Sequence, residues 1–272
     1  MPHLTRRRFG AALAATAAAL AFSPAAHPAG AAQPQQLKIG VTAGPHAEVM
    51  EVVKRIAARR GLELDVVEFT DYVQPNAALD SGDLDANSFQ HQPYLDDQVK
   101  NRGYHIVSIA KTLDFPMGLY SRKLKRLSEV KAGARFGLPN DPTNEGRALL
   151  LLQHAGLVKL AAGVGLKATP SDVAVNPKHL QFVELDAAQL PRALDDLDFA
   201  AINTNYALSA NLVPTRDSLA IESVDSPYVN VIAVRTKDRH DARVNELVQA
   251  YHSPEVKAFV LSHYKGYVIP AW

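Results

Sequence analysis

From Leu37 onward the apolar positions switch between two periods. Leu37, Ile39 and Val41 recur every second residue, which lines one face of a strand. Val49, Val52, Val53, Ile56 and Ala57 recur at three and four, so His46–Arg60 reads as an amphipathic helix, stopped by Gly61. Leu62–Phe69 returns to period two. The rhythm continues with a helix over Tyr72–Asp80, a strand over Leu84–Phe89, a helix over Tyr94–Asn101 and a strand over His105–Thr112. Phe115–Tyr120 reads as extended, Arg135–Leu138 as a strand and Asn144–Ala155 as an apolar helix. Strands Gln181–Leu185 and Phe199–Asn203 flank a helix over Gln189–Leu194. A strand over Val229–Val234 precedes two closing helices, Asp241–His252 and Pro254–Tyr264.

Strands that alternate with helices form mostly parallel sheets covered on both faces. The 272 residues suffice for two such units. The expected fold class is α/β with two lobes, each a mixed, mostly parallel sheet flanked by helices. Residues 37–115 and 232–272 are assigned to one lobe and 116–231 to the other. Open α/β sheets bind ligands beyond the carboxyl ends of their strands. Two lobes face to face would therefore gather strand-end residues into one cleft.

The first 31 residues have a different character. Thr5-Arg6-Arg7-Arg8-Phe9 precedes an apolar stretch, Gly10–Phe22, and small residues follow up to Ala29-Gly30-Ala31. This is the layout of an export signal, and the paired arginines before Phe9 match the twin-arginine kind. The apolar stretch is too short to cross about 30 Å of hydrocarbon. No later stretch reaches that length, so a soluble, exported, periplasmic protein is expected.

Composition removes several classes of function. Of the 29 basic residues three are signal arginines, and without them the 28 acidic residues are in slight excess, so nothing electrostatic favours nucleic acid as a partner. The chain has no cysteine, which rules out disulfides, thiolate metal sites, thiol nucleophiles and a cysteine-linked lipid anchor. The ten histidines form no metal-binding pattern, and Asp80–Asn87 lacks the glycine and glutamate positions of a calcium loop. Neither a nucleophile elbow nor a phosphate-binding glycine loop is present. No cofactor and no catalytic residue is expected.

Three motifs suggest binding. Asn140-Asp141-Pro142-Thr143-Asn144-Glu145-Gly146-Arg147 opens a helix, where free N–H groups and a planar guanidinium could take a carboxylate. The same residues also fit a plain helix cap beside a solvated arginine. Phe89, His91 and Tyr94 crowd one loop and, with Tyr72 and Phe115, could wall a pocket for a soft side chain. Aromatics in a core would fit equally well. Asn203 and Asn230 sit at strand ends, where amides can hold polar ligand groups or simply make turns.

Taken in order, these segments resemble the MetQ/NlpA methionine-binding lipoproteins. The likeness rests on Ala43-Gly44-Pro45, Phe69-Thr70-Asp71-Tyr72-Val73, Phe89-Gln90-His91, Pro139–Asn144, Gly146–Gln153, Ile202-Asn203-Thr204 and Asp225–Asn230, and it runs from about Leu37 to the end. It implies a type II periplasmic binding protein, acting as a monomer, that captures methionine for the permease and ATPase of an ABC transporter. It assigns Tyr72, Phe89, His91, Tyr94 and Phe115 to the side-chain pocket, Arg147 to the ligand carboxylate, and Asn144, Asn203 and Asn230 to its polar groups. Leu113-Asp114-Phe115-Pro116 and the missing lipidation cysteine depart from the family pattern, the latter implying a protein without a lipid anchor. Another amino acid or a methionyl dipeptide is an alternative ligand, and an enzyme on the same scaffold a further alternative. Replacing both Arg6 and Arg7 with lysine should block export, read by fractionation; unchanged export would exclude the twin-arginine route.

Overall fold

The computed structural model describes residues 1–3, 35–224 and 226–272. The expected export signal lies outside the described residues apart from Met1–His3. In chain order the elements are β1 (Gln35–Thr42), α1 (Pro45–Ala58), β2 (Leu62–Phe69), α2 (Gln74–Ser81), β3 (Ala86–His91), α3 (Gln92–Arg102) and β4 (Ile106–Lys111). Next come β5 (Leu113–Asp114), β6 (Gly118–Tyr120), β7 (Arg135–Pro139), α4 (Pro142–His154), β8 (Lys159–Leu160), β9 (Val173–Val175), β10 (Gln181–Leu185) and α5 (Leu190–Ala193). The chain ends with β11 (Phe199–Ile202), α6 (Thr204–Ser209), α7 (Pro214–Asp217), β12 (Ser218–Ile221), β13 (Asn230–Arg235), α8 (Ala242–Tyr251), α9 (Pro254–Tyr264) and β14 (Ile269–Pro270).

Two five-stranded sheets organise these elements, in the orders β2-β1-β3-β13-β4 and β10-β7-β11-β6-β12. In the first, only β13 runs against its neighbours; in the second, only β6 does. The sheets are thus mixed and mostly parallel, as the alternating pattern implies. One boundary differs. Asn230 and Val231, assigned by sequence to the second lobe, pair with His91 and Gln90 in the first sheet. The chain has therefore returned before residue 230.

Helices cover both faces of each sheet. The first sheet packs Ile39, Val41 and Ile232 against α1, α8 and α9 through Val49, Val53, Leu247 and Val260. Its other face takes Leu79 of α2 and Leu95 of α3. In the second sheet Phe136 and Leu138 meet Leu149 and Leu152 of α4. Leu190, Leu194 and Ala207 cover Ile202 and Ala200 on the far side. Each such side chain contributes about 1.5–3 kcal/mol on burial, which is why the apolar period carries the fold.

The elements missing from the sequence reading are short: α6, α7, β12, the β8–β9 ribbon and the β5–β14 pair have six residues or fewer each. A helix of four to six residues spans fewer than two turns, and a strand of two to four residues repeats its pattern at most once, so neither displays a clear period. The start of α2 also moves, from Tyr72 to Gln74, because the Asp71 carboxylate accepts from the N–H groups of Val73 (2.7 Å) and Gln74 (2.9 Å). This Asx-type turn keeps Tyr72 out of the helix.

One close approach near the site depends on a missing side chain. A Cβ on Gly146, at the start of the second turn of α4, would lie 2.1 Å from the Leu166 carbonyl oxygen and 2.8 Å from its carbon. Backbone blocks this position, and backbone cannot rotate aside. Gly146→Ala should therefore lose about 1–3 kcal/mol of stability, despite the better helix propensity of alanine, as read by denaturant unfolding. A gain would show that the 166–168 segment yields freely.

Candidate functional site

The parallel strands β1, β3, β7 and β11 end on one side of the two sheets, and the antiparallel β6 and β13 begin there. Thr42, His91, Asn203 and Asn230 stand at these ends, and α4 starts just beyond β7. Between them lies a small cavity. Its lining includes all nine expected residues: Tyr72, Phe89, His91, Tyr94, Phe115, Asn144, Arg147, Asn203 and Asn230. It also includes Gln90, Thr204 and Asn205, which sequence reasoning did not single out.

The aromatic residues touch one another. Tyr72 lies 6.0 Å from Phe89, 6.1 Å from Tyr94 and 4.9 Å from Tyr206, ring centre to ring centre. The Tyr94 hydroxyl donates to the Tyr72 carbonyl at 3.0 Å. Phe115 packs 4.5 Å from the His46 ring. Burial raises both the Tyr72 and Tyr94 hydroxyls well above their usual range, so both phenols stay neutral donors. Tyr206 belongs to this group as well; its only signal in sequence was its place in the Ile202–Tyr206 motif.

The polar residues form a chain of committed hydrogen bonds. Asp141 caps α4, its Oδ1 accepting from the Asn144 N–H at 2.9 Å. Its carboxylate also accepts from Asn144 Nδ2 at 3.0 and 3.1 Å. Since a carboxylate can only accept, this fixes which end of the Asn144 amide faces away. The freed Asn144 Oδ1 accepts from Asn203 Nδ2 at 2.8 Å and from His91 Nε2 at 3.2 Å. His91 Nδ1 accepts from the Tyr94 N–H at 3.1 Å and so caps α3, which places the His91 proton on Nε2. Asn203 Oδ1 is then a buried acceptor without a partner among the described residues. Asn205 is its complement: Oδ1 accepts from the Tyr72 hydroxyl at 2.6 Å, while Nδ2 is a buried donor without a partner among the described residues.

His46 anchors the fourth amide. Asn230 Nδ2 donates to His46 Nε2 at 2.8 Å, so Nδ1 carries the proton and donates to Thr42 Oγ1 at 2.9 Å. Behind the wall, Gln90, Asn76 and Asn87 exchange side-chain hydrogen bonds of 2.6–3.1 Å, which keeps β3 and α2 in register.

Arg147 is 3% exposed and is held more firmly than its motif suggests. Nε donates to both oxygens of Glu222 at 3.2 and 3.1 Å, and Nη2 to Glu222 Oε2 at 2.5 Å. Nη2 also donates to the Phe115 carbonyl at 2.8 Å, and the Tyr228 ring lies 4.3 Å from the guanidinium carbon. This corrects the expected carboxylate fork: its Nε–Nη2 edge already holds the protein's own Glu222, leaving Nη1 for anything in the cavity. The helix start is likewise filled by its own cap, Asp141, rather than open to an anion.

Burial also governs protonation here. It lowers His46 to about 3, and lowers His91 to about 3 with help from the Arg147 charge. Burial raises Asp114 to about 6, with Arg147 opposing and Glu222 reinforcing the rise. Among the described residues no group of three or more His, Cys, Asp or Glu side chains could hold a metal ion. No helix among them is long and apolar enough to cross a membrane.

The family model for the NlpA lipoproteins matches residues 37–272. The chain belongs to the NlpA lipoprotein family. Among solved members, the chain is similar to a nutrient-binding protein from Burkholderia cenocepacia, whose structure holds methionine. The two share 58% identity with a TM-score of 0.85, over 87% of this chain and 100% of that one. It is likewise similar to the methionine-binding protein MetQ: 47% identity, TM-score 0.86, 88% of this chain and 99% of that one. The D-methionine-binding lipoprotein MetQ of Salmonella typhimurium is 48% identical over 242 residues, 88% of this chain and 89% of that protein. These are substrate-binding proteins of the periplasmic binding fold, in agreement with the two mixed sheets found here. Their lipoprotein names overturn the expectation of a protein without a lipid anchor, although none of the 272 residues is a cysteine.

The depressed histidines can be checked directly. Because the folded value lies below the free one, neutrality contributes fully above about pH 6.5 and is lost only as pH falls toward about 3. The His46 and His91 ring resonances should not titrate between pH 8 and 5 by NMR. A midpoint near 6.5 for either would contradict the dry, committed network.

Proposed function

We propose that this protein binds methionine in the cavity and delivers it to an ABC importer, with no chemistry of its own. One observation carries the reading: beside an aromatic wall, a buried amide acceptor (Asn203 Oδ1) and a buried amide donor (Asn205 Nδ2) both lack partners among the described residues. Unpaired buried polar groups are costly, so a group from outside the chain, a ligand or ordered water, is needed to meet both. A zwitterionic amino acid does so, its ammonium on Asn203 Oδ1 and its carboxylate on Asn205 Nδ2 and Arg147 Nη1. The thioether would lie among Tyr72, Phe89 and Tyr94, where sulfur–aromatic contacts are favourable. The similarity to proteins named for methionine supports this choice of side chain.

The enzyme alternative is disfavoured by His91, whose two nitrogens are both engaged within the protein. The two sheets are taken as two lobes, residues 37–115 with 230–272 and residues 116–229. Tyr72–Asn205, Tyr206–Thr70 and Lys167–Asp97 would link them when closed. Export to the periplasm is assigned to the Arg6–Phe9 cluster.

Isothermal titration of protein unfolded and refolded to strip ligand should show methionine binding, and mass spectrometry of untreated protein should identify retained methionine. Tyr72→Ala should weaken binding by about 1–3 kcal/mol through lost apolar burial and sulfur contact. Arg147→Ala should cost about 2–5 kcal/mol, part of it from leaving Glu222 buried without its partner. No heat with methionine from correctly folded protein would reject the ligand.

A further inference from the structure

Glu222 follows β12 and does not line the cavity. It is fastened to the segment that crosses between the sheets: its N–H donates to the Met117 carbonyl at 2.9 Å, and its Oε2 accepts from the Met117 N–H at 3.2 Å. From there its carboxylate takes the Nε–Nη2 edge of Arg147, with side-chain exposures of 12% for Glu222 and 3% for Arg147. A charge pair so little exposed is weakly screened by solvent or salt. The Asp114 carboxylate is also buried nearby, with Oδ1 lacking a partner among the described residues. The guanidinium that reaches the cavity therefore brings no surplus positive charge with it.

We infer that Glu222 is a positioning residue that sets ligand specificity: by holding and neutralising Arg147, it makes the cavity accept a zwitterionic α-amino acid and reject the matching anion that lacks an ammonium group. The inference rests on the methionine reading and deepens it. A simple carboxylate entering this site meets a guanidinium already matched by Glu222 and gains no net countercharge for its lost water. A zwitterion carries its own countercharge, and Asn203 Oδ1 offers that ammonium an acceptor. A cavity with Arg147 alone would bind both ligands through the charge, and would prefer the anion more than this one does.

The test compares methionine with its near-isosteric hydroxy acid, 2-hydroxy-4-(methylthio)butanoate, by titration calorimetry on the full protein. The parent should prefer methionine. Glu222→Gln should reduce that preference at least about tenfold, the scale of one unit charge a few ångströms away at an effective dielectric near 20. Glu222→Asp, which keeps the charge, should retain the parent's preference. A merely structural role would weaken both ligands alike, so an unchanged ratio in Glu222→Gln overturns the inference even if both affinities fall. Glu222→Ala supplies the same ratio should the glutamine variant fail to fold. A parent that binds the hydroxy acid as well as methionine also overturns it, whereas a parent that binds neither overturns the methionine reading instead.

Discussion

A guanidinium almost entirely removed from water organises this site. An uncompensated buried ion costs several kcal/mol, so Arg147 must find partners wherever the chain can supply them. They come from three separate places: the Phe115 carbonyl on the crossing segment, the Glu222 carboxylate after β12, and the Tyr228 ring before β13. Arg147 itself belongs to α4, packed on the second sheet, while Asn230 just beyond Tyr228 already pairs in the first. The same charge thus ties the path between the sheets to the helix that borders the cavity.

The second constraint is the direction of amide groups. The orientations of Asn144 and Asn203 descend from Asp141, whose carboxylate accepts from Asn144. It turns Asn144, Asn144 turns Asn203 and receives His91, and His91 is held from behind by the Tyr94 N–H. The cost of ordering these side chains is met during folding, so a ligand finds its acceptor in place. Neutral His46 and His91 suit this role, since a charged imidazole would reverse the donor pattern and repel Arg147.

Much of the fold was legible in sequence because burial imposes a period. β2, β10 and α9 fall on the boundaries their patterns predict, since long runs of apolar residues leave little choice of face. The short elements were not legible: α6 has six residues, yet it follows Asn203 and carries Asn205. The nine expected residues could be named because resemblance supplied ordered motifs, and all nine line one cavity. Glu222 could not be found this way. It is 75 positions from Arg147, in no motif, and looks like any surface acid.

Local sequence by itself determined the alternation of strands and helices, a capped helix start within Asn140–Arg147, and which residue types were available for binding. These depend on neighbours within a few positions, where periodicity and capping act. Tertiary structure alone decided that the Arg147 fork is closed by Glu222, that α4 offers no open anion site, and that Asn203 presents an oxygen rather than a nitrogen. Each of those outcomes is a competition between partners distant in the chain, and its result depends on which one geometry brings within hydrogen-bonding distance.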